Sequence, residues 1–194
     1  MSKAICRCSW CGNDPDYMAY HDNEWGVPLR DEQQLFELLI LEGAQAGLSW
    51  ITVLRKRPSY RLAFDNFDPE KVARYREVKI TALLQNPGII RNRLKVASAI
   101  KNASALLAMR TAGENFSDFL WGFVNHKPIQ NHWSQQSDAP TSTPESDAMS
   151  KALKQKGFNF VGSTICYAFM QAAGMVNDHV IDCYRHKQCA TLGK

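Results

Sequence analysis

Three observations predict an all-α fold for this 194-residue chain. Apolar residues recur at helical spacing along nearly its whole length, and no stretch alternates convincingly with a period of two. Asp14-Pro15, Asp68-Pro69 and Thr143-Pro144 repeat one helix-opening signal, a capping side chain followed by proline at the first helical position. With 45% hydrophobic residues the chain can bury one sizeable core, so a single helical domain over 1–194 is expected.

The cap at Asp14 opens a short helix through His21, which sets Tyr17 and His21 i,i+4 and Tyr17 and Tyr20 i,i+3. DEQQLFELLILEG begins acidic and carries Leu35, Leu38 and Leu39 as a buried stripe. LSWITVLRKR is a second amphipathic segment, and Asp68-Pro69 opens the next helix. In NPGIIRNRLKV, residues 86–96, Pro87 and Gly88 stop one helix and another opens at Ile89 to Arg91. Its stripe runs through Val96, Ile100, Ala103 and Leu107. Residues 131–146, NHWSQQSDAPTSTPES, are polar with two prolines and read as a long surface connection. Thr143-Pro144 opens a helix that Gly157 closes, and VGSTICYAFMQAAGM suits a buried helix in which Cys166 packs. There are no internal repeats or low-complexity tracts.

A formal charge of +4 suits a nucleic-acid partner without establishing one. Residues 1–20 lack the long apolar stretch of a signal peptide, and no run of eighteen apolar residues exists, so no membrane association is expected. The six cysteines then read as reduced thiols or metal ligands, and the protein as cytoplasmic.

His179 and Cys183 in VNDHVIDC stand four apart, on one face of a helical turn. Cys8 and His21 are candidates to complete a tetrahedral set that clasps the two ends of the chain. From spacing alone, these residues read either as such a clasp or as incidental surface groups. Four protein ligands would leave no position for water, which makes any zinc held there structural.

Trp10, Trp25, Trp50, Tyr17 and Tyr20 all fall in the first fifty residues, as core or as a pocket. Glu42 tilts the reading. It follows LLIL on the apolar face, near a helix C-terminus where the dipole disfavours negative charge. Such local conflict is expected at functional sites. The turn at Gly88 to Arg91 offers free backbone N–H groups to a phosphate, with Arg91, Arg93 and Lys95 around it. That signal is weak alone. Combined with aromatics and a lone acid it suggests DNA repair.

AYHDNEWGVP, LEGAQAGLSWITVLRKR, NPGIIRNRLK and PTSTPESDAMSKALKQKGFNFVGSTICYAFMQAAGMVNDHV closely resemble the Tag family of 3-methyladenine-DNA glycosylases, in the helix-hairpin-helix superfamily. The resemblance runs from about Cys8 to Cys183. It implies a helix-hairpin-helix DNA glycosylase fold, with the helix-hairpin-helix region at about 77–110. It also implies a zinc subdomain from about 6–25 plus 176–190, holding one structural zinc on Cys8, His21, His179 and Cys183. Cys6, Cys11 and Cys189 are the spare candidates should Cys8 be misplaced. The family pocket maps onto Glu42, Tyr20 and Trp50, with Trp10 and Tyr17 as further walls and Glu42 as the candidate catalytic residue. Gly88, Ile89, Arg91, Arg93 and Lys95 would contact DNA. The implied activity is monofunctional removal of 3-methyladenine from alkylated double-stranded DNA, leaving an abasic site and requiring no protein partner.

Many helix-hairpin-helix glycosylases carry an aspartate after the hairpin. Here the first is Asp118, and the Tag family is described as lacking that acid, so Asp118 reads as structural. Two other classes fit less well. A zinc deaminase or nuclease would need an open metal and an H-x-E type acid, but this chain has His21-Asp22-Asn23-Glu24. A plain DNA-binding module leaves Glu42 among aromatics unexplained.

Overall fold

The computed structural model describes residues 5–192; the ends of the expected domain, 1–4 and 193–194, lie outside the described residues. Helix α1, Pro15–Asn23, starts where the Asp14 carboxylate accepts from the N–H groups of Asp16 and Tyr17. Helix α2, Glu32–Gln45, is capped by Asp31 and buries Leu35, Phe36, Leu39, Ile40 and Leu41, more than one face. It is therefore the central rod. Helix α3, Trp50–Ala63, follows a short loop and packs against it.

After α3, Asp65, Asn66 and Phe67 all adopt left-handed backbone, φ 51 to 56°. That tight reversal drives Phe67 into the core, stacked on Phe64 with centroids 5.7 Å apart. Asp68 then caps α4, Pro69–Val72, and α5 follows over Glu77–Gln85. Helix α6, Arg93–Thr111, packs against α2, α4 and α5; α7, Phe116–Gly122, is capped by Asn115. Helix α8, Pro144–Gln155, opens on a reciprocal Thr143–Ser146 capping box and closes at Gly157, φ 92°. It packs on α9, Ser163–Ala172, which in turn lies against α2. Helix α10, Tyr184–Leu192, completes the described chain. No helix among the described residues is long and apolar enough to cross a membrane.

Three local expectations are corrected. A short parallel ladder, β1 Ile129–Gln130 with β2 Val176–Asn177, interrupts the all-helical pattern. Two residues per strand are too few to leave a period in the sequence. Helix α6 starts at Arg93, not at Ile89 to Arg91. The Asn92 side chain caps it by accepting from Lys95 N–H, while Ile90 N–H is held by the Tyr60 hydroxyl of α3. Finally, His179 to Cys183 is a turn and not a helix, with the Cys183 amide donating to the Val180 carbonyl at 2.8 Å.

Candidate functional site

The turn at 179–183 and helix α1 bring Cys8, His21, His179 and Cys183 together. Their ligand atoms all lie within 4.8 Å of one another, and all four residues are buried. Burial removes the surface-residue reading. Cys183 Sγ is 3.4 Å from His21 Nε2 and 3.5 Å from His179 Nδ1, and Cys8 Sγ is 3.5 Å from the same Nδ1. Each imidazole is oriented from behind. His21 Nδ1 meets Asp22 Oδ1 at 2.8 Å, and His179 Nε2 meets the Trp25 carbonyl at 3.1 Å. Asp22 is itself gripped by the Arg7 guanidinium, which holds its carboxyl well below the usual range. The Cys8 thiol, then the two imidazoles, favour a thiolate at Cys183 and push its pKa down, while Cys8 is pushed up by the same shared proton and by burial. Two thiols and two imidazoles, each imidazole backed by an oxygen acceptor on its other nitrogen, form a site that can hold a metal ion.

Cys6 is exposed and lies outside this group, and so do three buried thiols, Cys11, Cys166 and Cys189. Cys11 Sγ donates to the Cys8 carbonyl at 3.1 Å, and Cys189 packs near Gly26.

Beside the cluster lies a cavity of about 210 Å³. Its aromatic walls are Trp10, Tyr17, Tyr20, Trp25 and Trp50; its polar lining is Glu42, Gln45, Gln136 and Gln171. Tyr17 and Tyr20 of α1 line the cavity, while His21 of the same helix joins the Cys/His cluster. Tyr20 and Trp50 sit 5.5 Å apart, and Trp10 makes edge contacts with Tyr17 at 5.2 Å and Trp25 at 5.0 Å. Glu42, in the last turn of α2, is only 4% exposed. No group among the described residues hydrogen-bonds its carboxyl, and burial alone pushes its pKa up to about 8. The Trp10 and Trp50 indole N–H groups and the Gln136 carboxamide oxygen, all on this lining, are buried without a protein partner. Aromatic faces, an unpaired acid and unpaired donors and acceptors make a site for a flat, polar-edged molecule.

Two more cavities adjoin. One, of about 220 Å³, shares Glu42, Gln45 and Ala168 with the first and reaches the exposed Leu48 on the α2–α3 loop. The other, also about 220 Å³, lies across Tyr20, where Arg57 and Arg61 are already paired with Glu24 and Glu37.

The hairpin candidates are arranged differently from the sequence expectation. Gly88 N–H donates to Asn86 Oδ1 at 2.8 Å and Ile89 N–H to the Asn86 carbonyl at 3.4 Å, so neither is free. Gly88 is required by packing, because a Cβ there would fall 2.8 Å from Ser59 Cβ of α3. Lys95 turns back onto α2 and donates to the carbonyls of Ala44 and Ala46, both at 2.7 Å, which makes it a helix C-cap. Arg93 pairs with Glu77 at 3.1 Å. Arg91 is exposed with no salt-bridge partner among the described residues. The amides of Arg91, Arg93 and Leu94 have no acceptor among them either. Asp118 is exposed in the first turn of α7, outside the cavity lining.

Nothing in the sequence singles out Gln45, Gln136, Ala168 or Gln171, and Trp25 stands out there only as an aromatic. Neutral amides carry no spacing signature. Gln136 in particular falls in the polar connection that read as plain surface, and only the tertiary fold brings it over the cavity.

The methyladenine glycosylase family is matched over residues 10–186. The chain is 58% identical over 177 residues to DNA-3-methyladenine glycosylase 1 of Escherichia coli (strain K12), covering 91% of this chain and 95% of that protein. A crystal structure of 3-methyladenine DNA glycosylase I (TAG) superposes with a TM-score of 0.91 at 56% identity, over 92% of this chain and 98% of that one. A single-site variant of a TAG enzyme, solved in complex with 3-methyladenine, superposes at a TM-score of 0.88 with 40% identity, over 92% and 96% of the two chains. The chain belongs to the methyladenine glycosylase family.

Proposed function

We propose that this protein removes 3-methyladenine from alkylated double-stranded DNA by hydrolysis and leaves an abasic site. The observation that carries the reading is Glu42, a buried, unpaired carboxyl among Tyr20, Trp50, Trp10 and Tyr17. A flipped-out purine fits between such walls. In DNA the methylated base is a cation, which aromatic faces attract and neutral adenine lacks. The same charge draws Glu42 towards its ionised form, in which the carboxylate accepts from the amino edge of the base. The base leaves with the electron pair of the glycosidic bond and becomes neutral. Water adds its hydroxyl to the anomeric carbon and releases a proton. Because the leaving group is activated before it is bound, Glu42 acts chiefly by recognising and holding the base.

We assign a structural zinc to Cys8, His21, His179 and Cys183. Zinc–sulfur bonds of about 2.3 Å and zinc–nitrogen bonds of about 2.05 Å at a tetrahedral angle put S and N about 3.6 Å apart. Three of the four sulfur–nitrogen separations are 3.4 to 3.5 Å, and all lie within 4.8 Å. Two thiols and two imidazoles close the coordination sphere, so no water is activated there. This clasp makes a subdomain of about 6–25 with 176–190, within one domain. Residues 77–110 serve as the helix-hairpin-helix element, in which the amides and side chains of Arg91 and Arg93, more than those of Gly88, Ile89 or Lys95, approach phosphate. A DNA substrate is in keeping with a cytoplasmic location.

Incubating the protein with alkylated duplex DNA should release free 3-methyladenine and leave alkali-labile abasic sites. Tight binding to that DNA with no base released would make the protein a binding module instead.

A further inference from the structure

Gln136 sits on a short 3-10 turn, Gln136–Asp138, within the polar connection before α8. Its carboxamide oxygen is buried on the lining of the Glu42 cavity and has no hydrogen-bond partner. Almost all buried acceptors in folded proteins are paired, so an unpaired one on a residue of a cavity lining points to a ligand donor. Turning the amide around would bring two N–H groups towards a lining whose other unpaired buried groups, the Trp10 and Trp50 indoles, are already donors.

The turn is held firmly. Gln135 N–H and Nε2 donate to the Asp138 carboxylate at 3.1 and 3.0 Å. Upstream, the buried carboxylate of Asp178 accepts from Asn131 Nδ2 at 2.6 Å and Trp133 Nε1 at 2.9 Å. The same carboxylate accepts from Gln171 Nε2 at 2.8 Å, which fixes a second amide of the cavity lining. Gln136 is thus presented by a braced frame and not by a loose loop.

Glu42 alone makes an ambiguous reader. Its burial-raised pKa allows a protonated form that donates as well as an ionised form that accepts. A base with a carbonyl in place of the amino group could therefore still find a partner there. A carboxamide oxygen, by contrast, can only accept.

We infer that Gln136 is a specificity-determining residue, whose side-chain oxygen accepts from the exocyclic amino group of the flipped base and excludes 3-alkylated purines with a carbonyl at that position. The inference rests on the glycosylase reading above. It extends that reading by naming the group that separates amino from oxo purines.

The test measures binding of two free bases, 3-methyladenine and 3-methylhypoxanthine, by calorimetry or by quenching of tryptophan fluorescence. Wild type should prefer the amino base. Gln136→Met keeps length and volume without the acceptor; 3-methyladenine should bind it about tenfold more weakly, with 3-methylhypoxanthine unchanged or tighter. Gln136→Glu retains an oxygen acceptor that does not donate when ionised, and should keep the amino preference. A Met variant that weakens both bases equally, or neither, overturns the inference, since packing alone would then explain Gln136. Loss of the amino preference in Gln136→Glu overturns it independently, even should the Met variant fold poorly. Wild type that binds neither base would sink the glycosylase reading itself, and this inference with it.

Discussion

The imidazole of His179 meets the indole of Trp25 edge-on, with centroids 4.6 Å apart and planes at 85°. The same imidazole reaches the Trp25 carbonyl through Nε2. On the other side, the Trp10 ring lies 5.4 Å from His21. Two walls of the base cavity therefore lean on two of the candidate metal ligands. A clasp that looks remote from the chemistry in sequence is the buttress of the pocket.

Metal analysis should accordingly find one zinc per chain. His179→Ala or Cys183→Ser, or removal of the metal by a chelator, should lower the melting temperature by roughly 10 °C or more. Free-base binding should fall in parallel, because Trp25 loses its support. Chelated protein that melts and binds as before would refute the buttress.

Glu42 should give stability an unusual pH dependence. Its pKa in the folded protein, pushed up to about 8, exceeds that of an exposed glutamate. The neutral form is therefore favoured by folding. Its stabilising effect is complete below an ordinary glutamate pKa of about 4.3 and is lost as pH rises through 8. In that window the empty protein should lose about 1.4 kcal/mol per pH unit through this group. Denaturant unfolding of wild type and Glu42→Gln, compared pair by pair across pH, should reveal that slope in the difference. Parallel profiles would mean that the carboxyl is solvated.

Base recognition separates from metal binding. Glu42→Gln preserves shape but removes the charge, and should weaken free 3-methyladenine binding by about ten- to a hundredfold. Trp50→Ala should weaken it through lost stacking, with zinc content unchanged in both. Should Glu42→Gln bind the base normally yet excise it thousands of times more slowly, the carboxylate would be a general base acting on water.

Contact with the DNA backbone divides the three cations of the hairpin. Arg91→Ala should weaken binding to damaged and undamaged duplex alike and reduce the salt slope by about one. Lys95→Ala should leave that slope unchanged and instead lower thermal stability, since the ammonium caps α2 through Ala44 and Ala46. A reduced slope for Lys95→Ala would return it to the DNA face.

The helix openings were readable because capping is local. Asp14, Asp68 and Thr143 each cap the helix their following proline begins. Glu42 was readable as a conflict between an acid and its apolar face, and its burial follows from that face. The start of α6 was not, because Tyr60, thirty residues away, holds Ile90 and leaves the capping to Asn92. Nor was the backward reach of Lys95, whose acceptors lie at the end of another helix. The four-ligand cluster lay in between. Each half has a recognisable spacing, but the turn that aims His179 and Cys183 and the pairing of the two halves depend on tertiary packing. Gln136 and Gln171 are the extreme case, being chemically plain residues made consequential by where the fold carries them.

The clasp also orders events during synthesis. A growing polypeptide delivers Cys8, Trp10, Tyr20, His21 and Trp25 from the ribosome first, and His179 and Cys183 only after nearly all of the described chain has emerged. Until then Trp25 lacks the edge contact of His179, although His21 already lies against it, and neither Asp178 nor Gln171 is in place. A nascent or prematurely terminated chain can form α2 and α3 yet still lack a finished cavity. Completion of the cavity thus waits on the last third of the described chain, which supplies Gln136, Ala168, Gln171 and the His179 contact.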